Sequence, residues 1–134
     1  MKLTTYVNFA GKCAEAFHYY EQHLEGKIGM MMMHGQNPDP TQAAMEGVLH
    51  ARIEIAGTEL AGADIPGAQP MRSAYLTLHT ESDGEAERIS AALSAGGQVL
   101  MPLQETFFAS RFAQVRDRFG LNWMIMHERP RSAS

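Results

Sequence analysis

The sequence predicts an α+β fold made of two successive βαβββ modules whose curved mixed sheets surround a cavity. Three observations carry this: a pattern that occurs twice, helical stripes at three- and four-residue spacing, and runs of strict alternation around them. The first copy runs Thr4-Thr5-Tyr6-Val7-Asn8-Phe9, a helix over about residues 13–24, Gly26, then a Met-rich run from Ile28. The second runs Ala74-Tyr75-Leu76-Thr77-Leu78-His79, a helix over about residues 83–95, then Gly96-Gly97 and Gln98-Val99-Leu100-Met101. Each helix must cover one face of its own sheet. The opposite faces are then free to curve around a shared pocket.

Each element has a local reason. In the first strand Val7 and Phe9 point one way, Tyr6 and Asn8 the other. Ala14, Phe17, Tyr20 (or Glu21) and Leu24 form the stripe of the first helix. The run from Ile28 to Met33 reads as a buried strand, with at least half of its methionines in the core. Residues 35–47, containing Asn37-Pro38-Asp39-Pro40, read as a polar loop. His50 to Ile55 alternates and turns through Ala56-Gly57-Thr58 into the next strand, a hairpin. Ile65-Pro66-Gly67-Ala68-Gln69-Pro70 is the most linker-like segment. Ser82 followed by Glu85 is a capping-box signature, and Ala86, Ile89 and Leu93 form the second stripe. Strands follow at about residues 99–106 and 112–116, then the turn Asp117-Arg118-Phe119-Gly120 and a last strand over 121–127. The 134 residues thus divide into module 1 over about residues 1–64, linker 65–70, module 2 over about 71–128, and a frayed tail 129–134, within one domain.

Composition narrows the partners. Net charge is −4 and Lys and Arg are scattered, so no basic stripe for nucleic acid is present. No apolar run approaches the roughly 20 residues that cross a bilayer. The start Met1-Lys2-Leu3-Thr4 has no apolar signal region, and a lone Cys13 forms no internal disulfide, so a cytoplasmic location is expected. Cys13 opens a helix, where a thiolate is favoured, but no histidine nearby in sequence completes a nucleophile.

Several motifs resemble one known family. They are Tyr6-Val7-Asn8-Phe9-Ala10-Gly11-Lys12-Cys13-Ala14-Glu15-Ala16 leading to Tyr19-Tyr20; His50-Ala51-Arg52-Ile53 with Ala56-Gly57 and Asp64; Gln104-Glu105-Thr106-Phe107-Phe108-Ala109; and Asp117-Arg118-Phe119-Gly120-Leu121-Asn122-Trp123-Met124-Ile125. In this order they resemble the vicinal oxygen chelate superfamily (glyoxalase I, bleomycin-resistance proteins, extradiol dioxygenases), and more narrowly its PhnB-like branch. The resemblance implies that superfamily's fold, a small-molecule pocket and a homodimer, and it implies no particular reaction.

The resemblance also supplies a test. Metalloenzymes of the superfamily take one metal ligand from the first and fourth strand of each module. Those positions fall on Thr4 or Thr5, on Ala61 or Ala63, on Tyr75 and on Met124. Alanine, hydroxyl and thioether groups do not make a divalent-metal site, although Glu59 and Asp64 bracket the second position. Of the histidines, His18 and His23 are expected to be solvated on the helix and His127 exposed. His34, His50 and His79 stay open between structural roles and ligand contact. No cofactor is therefore expected.

Strand parity places Tyr6, Asn8, Tyr75, Thr77, Asn122 and Met124 on the cavity side. Phe107, Phe108 and Arg111 are expected on a loop, as an aromatic lid and a cation for an anionic or planar ligand; core packing for the rings and a solvated Arg111 are the plainer alternatives. The expected function is small-organic-molecule binding without a metal. The alternatives are a metal-dependent lyase, isomerase or dioxygenase with displaced ligands, or a structural, partner-binding dimer.

Overall fold

A computed structural model describes residues 1–130 as two compact units, Met1–Pro70 and one from Met71 onward. The tail expected to fray lies partly outside the described residues, at 131–134. Arg129 is described and is held: its N–H donates to the Phe108 carbonyl at 3.0 Å and its guanidinium pairs with Glu105.

The first unit contains β1 (Thr5–Phe9), α1 (Cys13–His23), β2 (Lys27–Met33), a 3-10 turn (His34–Gln36), α2 (Pro40–Ala43), β3 (Val48–Ile55) and β4 (Thr58–Asp64). Its sheet runs β1-β4-β3-β2, with β1 and β4 parallel and the other neighbours antiparallel. Cys13, Ala16, Phe17 and Tyr20 are the buried face of α1, continued by Leu24. Ala14, expected in that stripe, is only half-buried. Phe17 meets Phe9 edge-on at 6.0 Å, an arrangement aromatic pairs favour. It also crosses β4 at Gly62, where an added Cβ would lie 2.9 Å from the Val7 carbonyl oxygen and 3.1 Å from the Phe17 ring. Glycine there sets how closely helix and sheet pack.

The Ala56-Gly57 turn has left-handed backbone at both residues (φ 52° and 77°), which matches the twist of a two-residue hairpin. Two expectations change. Residues 35–47 are not wholly loop: Pro40 opens α2, and the Asp39 carboxylate accepts from the Thr41 N–H at 2.9 Å. The Met-rich strand is not buried: β2 is an edge of the sheet, and none of Met30 to Met33 reaches the buried core. Edge position, decided by strand order, overrides the apolar composition.

The second unit contains β5 (Leu76–His79), α3 (Asp83–Ser94), β6 (Gln98–Gln104), β7 (Ala109–Arg116) and β8 (Asn122–Glu128), in the order β5-β8-β7-β6. Strand order and direction repeat those of the first unit. The Ser82 hydroxyl accepts from the Glu85 N–H at 3.1 Å, and the Glu85 carboxylate reaches back to the Glu81 N–H at 3.1 Å. The expected capping box is thus present, with its return bond one residue early. Ile89 and Leu93 pack with Val115, Trp123 and Ile125 in the core. Both units have the βαβββ order of the vicinal oxygen chelate fold.

Candidate functional site

In each sheet, pairing decides which residues share a face. In the first, Val7, Gly62, Ala51 and Met31 form one row, directed at α1. The adjacent row, Tyr6, Ala61, Arg52 and Met30, points away from the helix. On this open face Tyr6 and His50 stack at 5.7 Å with planes 21° apart, and the Tyr6 hydroxyl is 3.2 Å from His50 Nδ1. Arg52 Nε donates to His50 Nε2 at 3.1 Å. An arginine Nε always carries hydrogen, so Nε2 is the acceptor and the neutral ring carries its proton on Nδ1. That proton is donated to the Tyr6 oxygen. Ala61 presents only a methyl between Tyr6 and Arg52, which lets His50 bridge them. Partial burial, with a smaller contribution from Cys13, raises the Tyr6 pKa above the usual phenol value, so Tyr6 stays protonated at neutral pH. Asn8 lies exposed on the same face, with Ala63 as its strand partner.

In the second sheet the open face carries Thr77, Met124, Gln114 and Met101 in one row, with Met126 beside Phe112 in the next. The structure brings Thr77 and Met124 together and extends the face with Phe112, Phe108 and Phe107, each ring 5.2 Å edge-on from the next. Phe107 is almost wholly exposed. Tyr75 precedes β5.

Two other candidates are already engaged. Asn122 is buried; its amide donates to the Met71 and Ala74 carbonyls, both at 3.1 Å, and its oxygen accepts from Arg116 Nε at 2.9 Å. It anchors the segment that leads into β5. Arg111 is not on a loop. It lies within β7, where Nε donates to Glu87 at 3.0 Å and the guanidinium sits 3.7 Å from Asp83, both on α3. It is therefore on the helix side, away from Met124.

Arg111 belongs to a strap across that side. His127 Nδ1 lies 2.8 Å from Asp83 Oδ1 and 3.1 Å from the Ser110 hydroxyl, which itself donates to Asp83 at 2.5 Å. His127 is thus half-buried and paired rather than exposed. One ring nitrogen, Nδ1, faces both partners, so the imidazole cannot take the Ser110 proton on one nitrogen while the other N–H is held by Asp83, as a nucleophile's base would. Hydrogen bonds from His127 and then Ser110 hold the Asp83 pKa below its usual value. A carboxylate with a lowered folded pKa stabilises the fold above its unfolded pKa, near about 4, and loses that contribution as pH falls through the folded value. Asp83→Asn is expected to lower the melting temperature at pH 7, with the gap to wild type closing as pH drops below about 4. A gap that persists at low pH would show that charge is not the cause.

Other groups are engaged within the fold. Cys13 is buried, and burial, with the Asp64 charge second, pushes its thiol up to about 12. The helix start does not favour a thiolate here. Asp64 is filled by backbone donors: Gly11 and Cys13 at 2.9 Å, Val48 at 2.8 Å. His34 is buried with Nε2 bonded to the Asp64 carbonyl at 3.0 Å. His79 pairs with Glu128 at 2.9 Å. A concavity of about 290 Å³ lies beside Asp64, between Ala10, Met45 and Ile65. Another, of about 270 Å³, lies between α3 and β6.

A family model described as 3-demethylubiquinone-9 3-methyltransferase matches residues 1–126. The chain belongs to this family. It is 32% identical to protein YjdN of Escherichia coli (strain K12), over 93% of this chain and 94% of that one. The solved structure of protein PA1353 from Pseudomonas aeruginosa is 35% identical, with a TM-score of 0.87, covering 97% of this chain and 99% of that one. A putative 3-demethylubiquinone-9 3-methyltransferase, PhnB protein, from Bacillus cereus is 26% identical, with a TM-score of 0.74, covering 95% and 99%. Fosfomycin resistance protein FosX from Mesorhizobium loti, 8% identical with a TM-score of 0.65 over 96% and 92%, shares the fold alone. The chain is thus a PhnB-like member of the vicinal oxygen chelate superfamily.

That superfamily raises the question of a metal. Pairing shifts the expected positions: Ala61 stands beside Tyr6, Ala63 beside Asn8, and Met124 beside Thr77 rather than Tyr75. Thr5 pairs with Leu60, in the helix-facing parity of Val7. Among the described residues no three His, Cys, Asp or Glu side chains converge. This donor set does not fit a divalent ion.

The sequence missed Arg52 and the role of His50 beside it. Their two-residue spacing on an alternating strand places both on one face, a signal that was present once the strand was identified.

Proposed function

We propose that this chain binds a small organic molecule, without a divalent metal, on the open face of its first sheet. One observation carries the reading: the hydrogen-bonded series Arg52–His50–Tyr6 on a face that the helix leaves uncovered. Packing does not require three polar side chains to be oriented there. Tyr6 and Asn8 are the pocket residues of this proposal; on the second sheet Thr77, Met124 and the Phe107–Phe108–Phe112 group give a separate surface for apolar contact. The donor set described above supports binding without a metal.

The test is an NMR titration of isotopically labelled, untagged full chain with a library of small organic fragments. Shifts clustered on Tyr6, His50, Arg52, Ala61 and the Met30 methyl are expected. Shifts confined to other surfaces would overturn the site. Stoichiometric zinc, nickel, manganese or iron in the same preparation would overturn the metal-free part.

A further inference from the structure

We infer that the open face of the first sheet recognises an oxyanion, a carboxylate or phosphate group of its ligand, through the free end of the Arg52 guanidinium and the Tyr6 hydroxyl. The inference rests on the binding proposal and adds the chemical class of the ligand.

The direction of the hydrogen bonds leads to it. Arg52 spends its Nε–H on His50 Nε2, at 3.1 Å. Its two terminal nitrogens still offer a planar pair of N–H groups, the fork that takes a carboxylate or phosphate with two parallel bonds. His50, its Nε2 occupied as an acceptor, donates from Nδ1 to the Tyr6 oxygen, 3.2 Å away. Tyr6 therefore accepts inside the cluster, and its own hydroxyl hydrogen is left to point outward. Arg52, His50 and Tyr6 thus form a one-way series that offers a ligand the guanidinium N–H pair and the Tyr6 O–H as donors.

Charge argues the same way. Arg52 is exposed, and among the described residues it forms no ion pair, whereas Arg111 and Arg129 are each matched to carboxylates. Glu54, two residues along the same face, lies outside the Arg52 row, with Lys27 as its register partner on β2. The row carrying Arg52 contains Tyr6, Ala61 and Met30, none of them acidic. A neutral amide would oppose donors with its own NH2 group. An oxyanion meets them with acceptors only. Stacking of His50 on Tyr6 fixes both rings before a ligand arrives, so little ordering remains to be done on binding.

The experiment compares benzoate with its isostere benzamide, and with phenyl phosphate, by NMR titration of the full chain, with inorganic phosphate as a fourth arm. Benzoate or phenyl phosphate is expected to bind about tenfold or more tighter than benzamide, as hydrogen bonds to charged groups do relative to neutral ones. The stronger of the two identifies the oxyanion source, and saturation by inorganic phosphate alone points to a free anion. Arg52→Gln, at an exposed position, is expected to keep the melting temperature and erase the preference. Tyr6→Phe is expected to weaken benzoate and phenyl phosphate alike. Equal affinity of benzamide and benzoate at the same resonances overturns the oxyanion while the binding proposal stands. A preference that survives Arg52→Gln also overturns it. No shift on this face with any probe or fragment removes both.

Discussion

Asp64→Ala is expected to destabilise the first unit more than any other single change to its polar groups. Asp64 is buried at the end of β4, and its carboxylate accepts from three backbone N–H groups, those of Gly11, Cys13 and Val48. Cys13 is the first residue of α1 and Gly11 precedes its N-cap, Lys12, which supplies no side-chain cap of its own. The third, Val48, starts β3. One carboxylate therefore ties the β1–α1 corner to the beginning of the hairpin, with the positive end of the helix balancing its charge. The Asp64 carbonyl meanwhile accepts from His34, which carries the chain toward the same corner. Alanine would leave the buried N–H groups of Cys13 and Val48 without an acceptor, each worth about 1–3 kcal/mol, and would turn that of Gly11 to solvent. Even with partial relaxation the loss is on the order of 4 kcal/mol, a large part of an ordinary domain's stability. Asp64→Asn is expected to fall between: one oxygen still accepts, but the amide NH2 replaces an acceptor with a donor. Urea unfolding followed on the first unit's resonances should give midpoints in the order wild type, Asn, Ala. Equal midpoints for wild type and Asn would show that one of the carboxylate oxygens is dispensable.

The standing of Asp64 also shows where sequence reading stops. In the chain it looks like a carboxylate beside a possible metal position. Its partners Gly11 and Cys13 lie 53 and 51 residues away, and nothing local announces them. Features set by near neighbours were legible: the Ser82 cap, the Ala56-Gly57 turn, the stripes of α1 and α3, and the doubled strand order. Features set by strand order were not. The Met-rich run has the composition of a core strand and becomes an edge, because only pairing decides which strand has one neighbour. Arg111 was misplaced for a related reason: β7 starts at Ala109, three residues before the expected start, with a register shift between Ala109 and Arg111. Tyr6 and Arg52 are 46 positions apart and meet through His50 only when β1, β4 and β3 lie side by side. Parity on one strand could be read, but not the hydrogen bonds between strands.

In the second unit the largest expected effect is at Gly97, where Gly97→Ala should cost about 2–3 kcal/mol. A Cβ at this position would lie 2.2 Å from the Arg116 carbonyl oxygen and 3.0 Å from both the Cα and carbonyl carbon of Asp117. All three are backbone atoms, so no side chain can swing aside; the chain entering β6 must move off β7. Gln98, the next residue, makes the first pair of that ladder with Arg116. Displacing Arg116 would also disturb its bond to Asn122, and Asn122 in turn holds the Met71 and Ala74 carbonyls ahead of β5. The strain therefore reaches from the β6 edge to the opposite edge of the sheet. Gly84→Ala provides the contrast, since a Cβ in this first turn of α3 meets nothing within 4 Å. There alanine is expected to raise stability by about 0.5–1 kcal/mol, through helix propensity and a less flexible unfolded chain. Urea midpoints that move in opposite directions for the two alanines would locate the effect in the Gly97 contact; a shared direction would assign it to the loss of glycine itself.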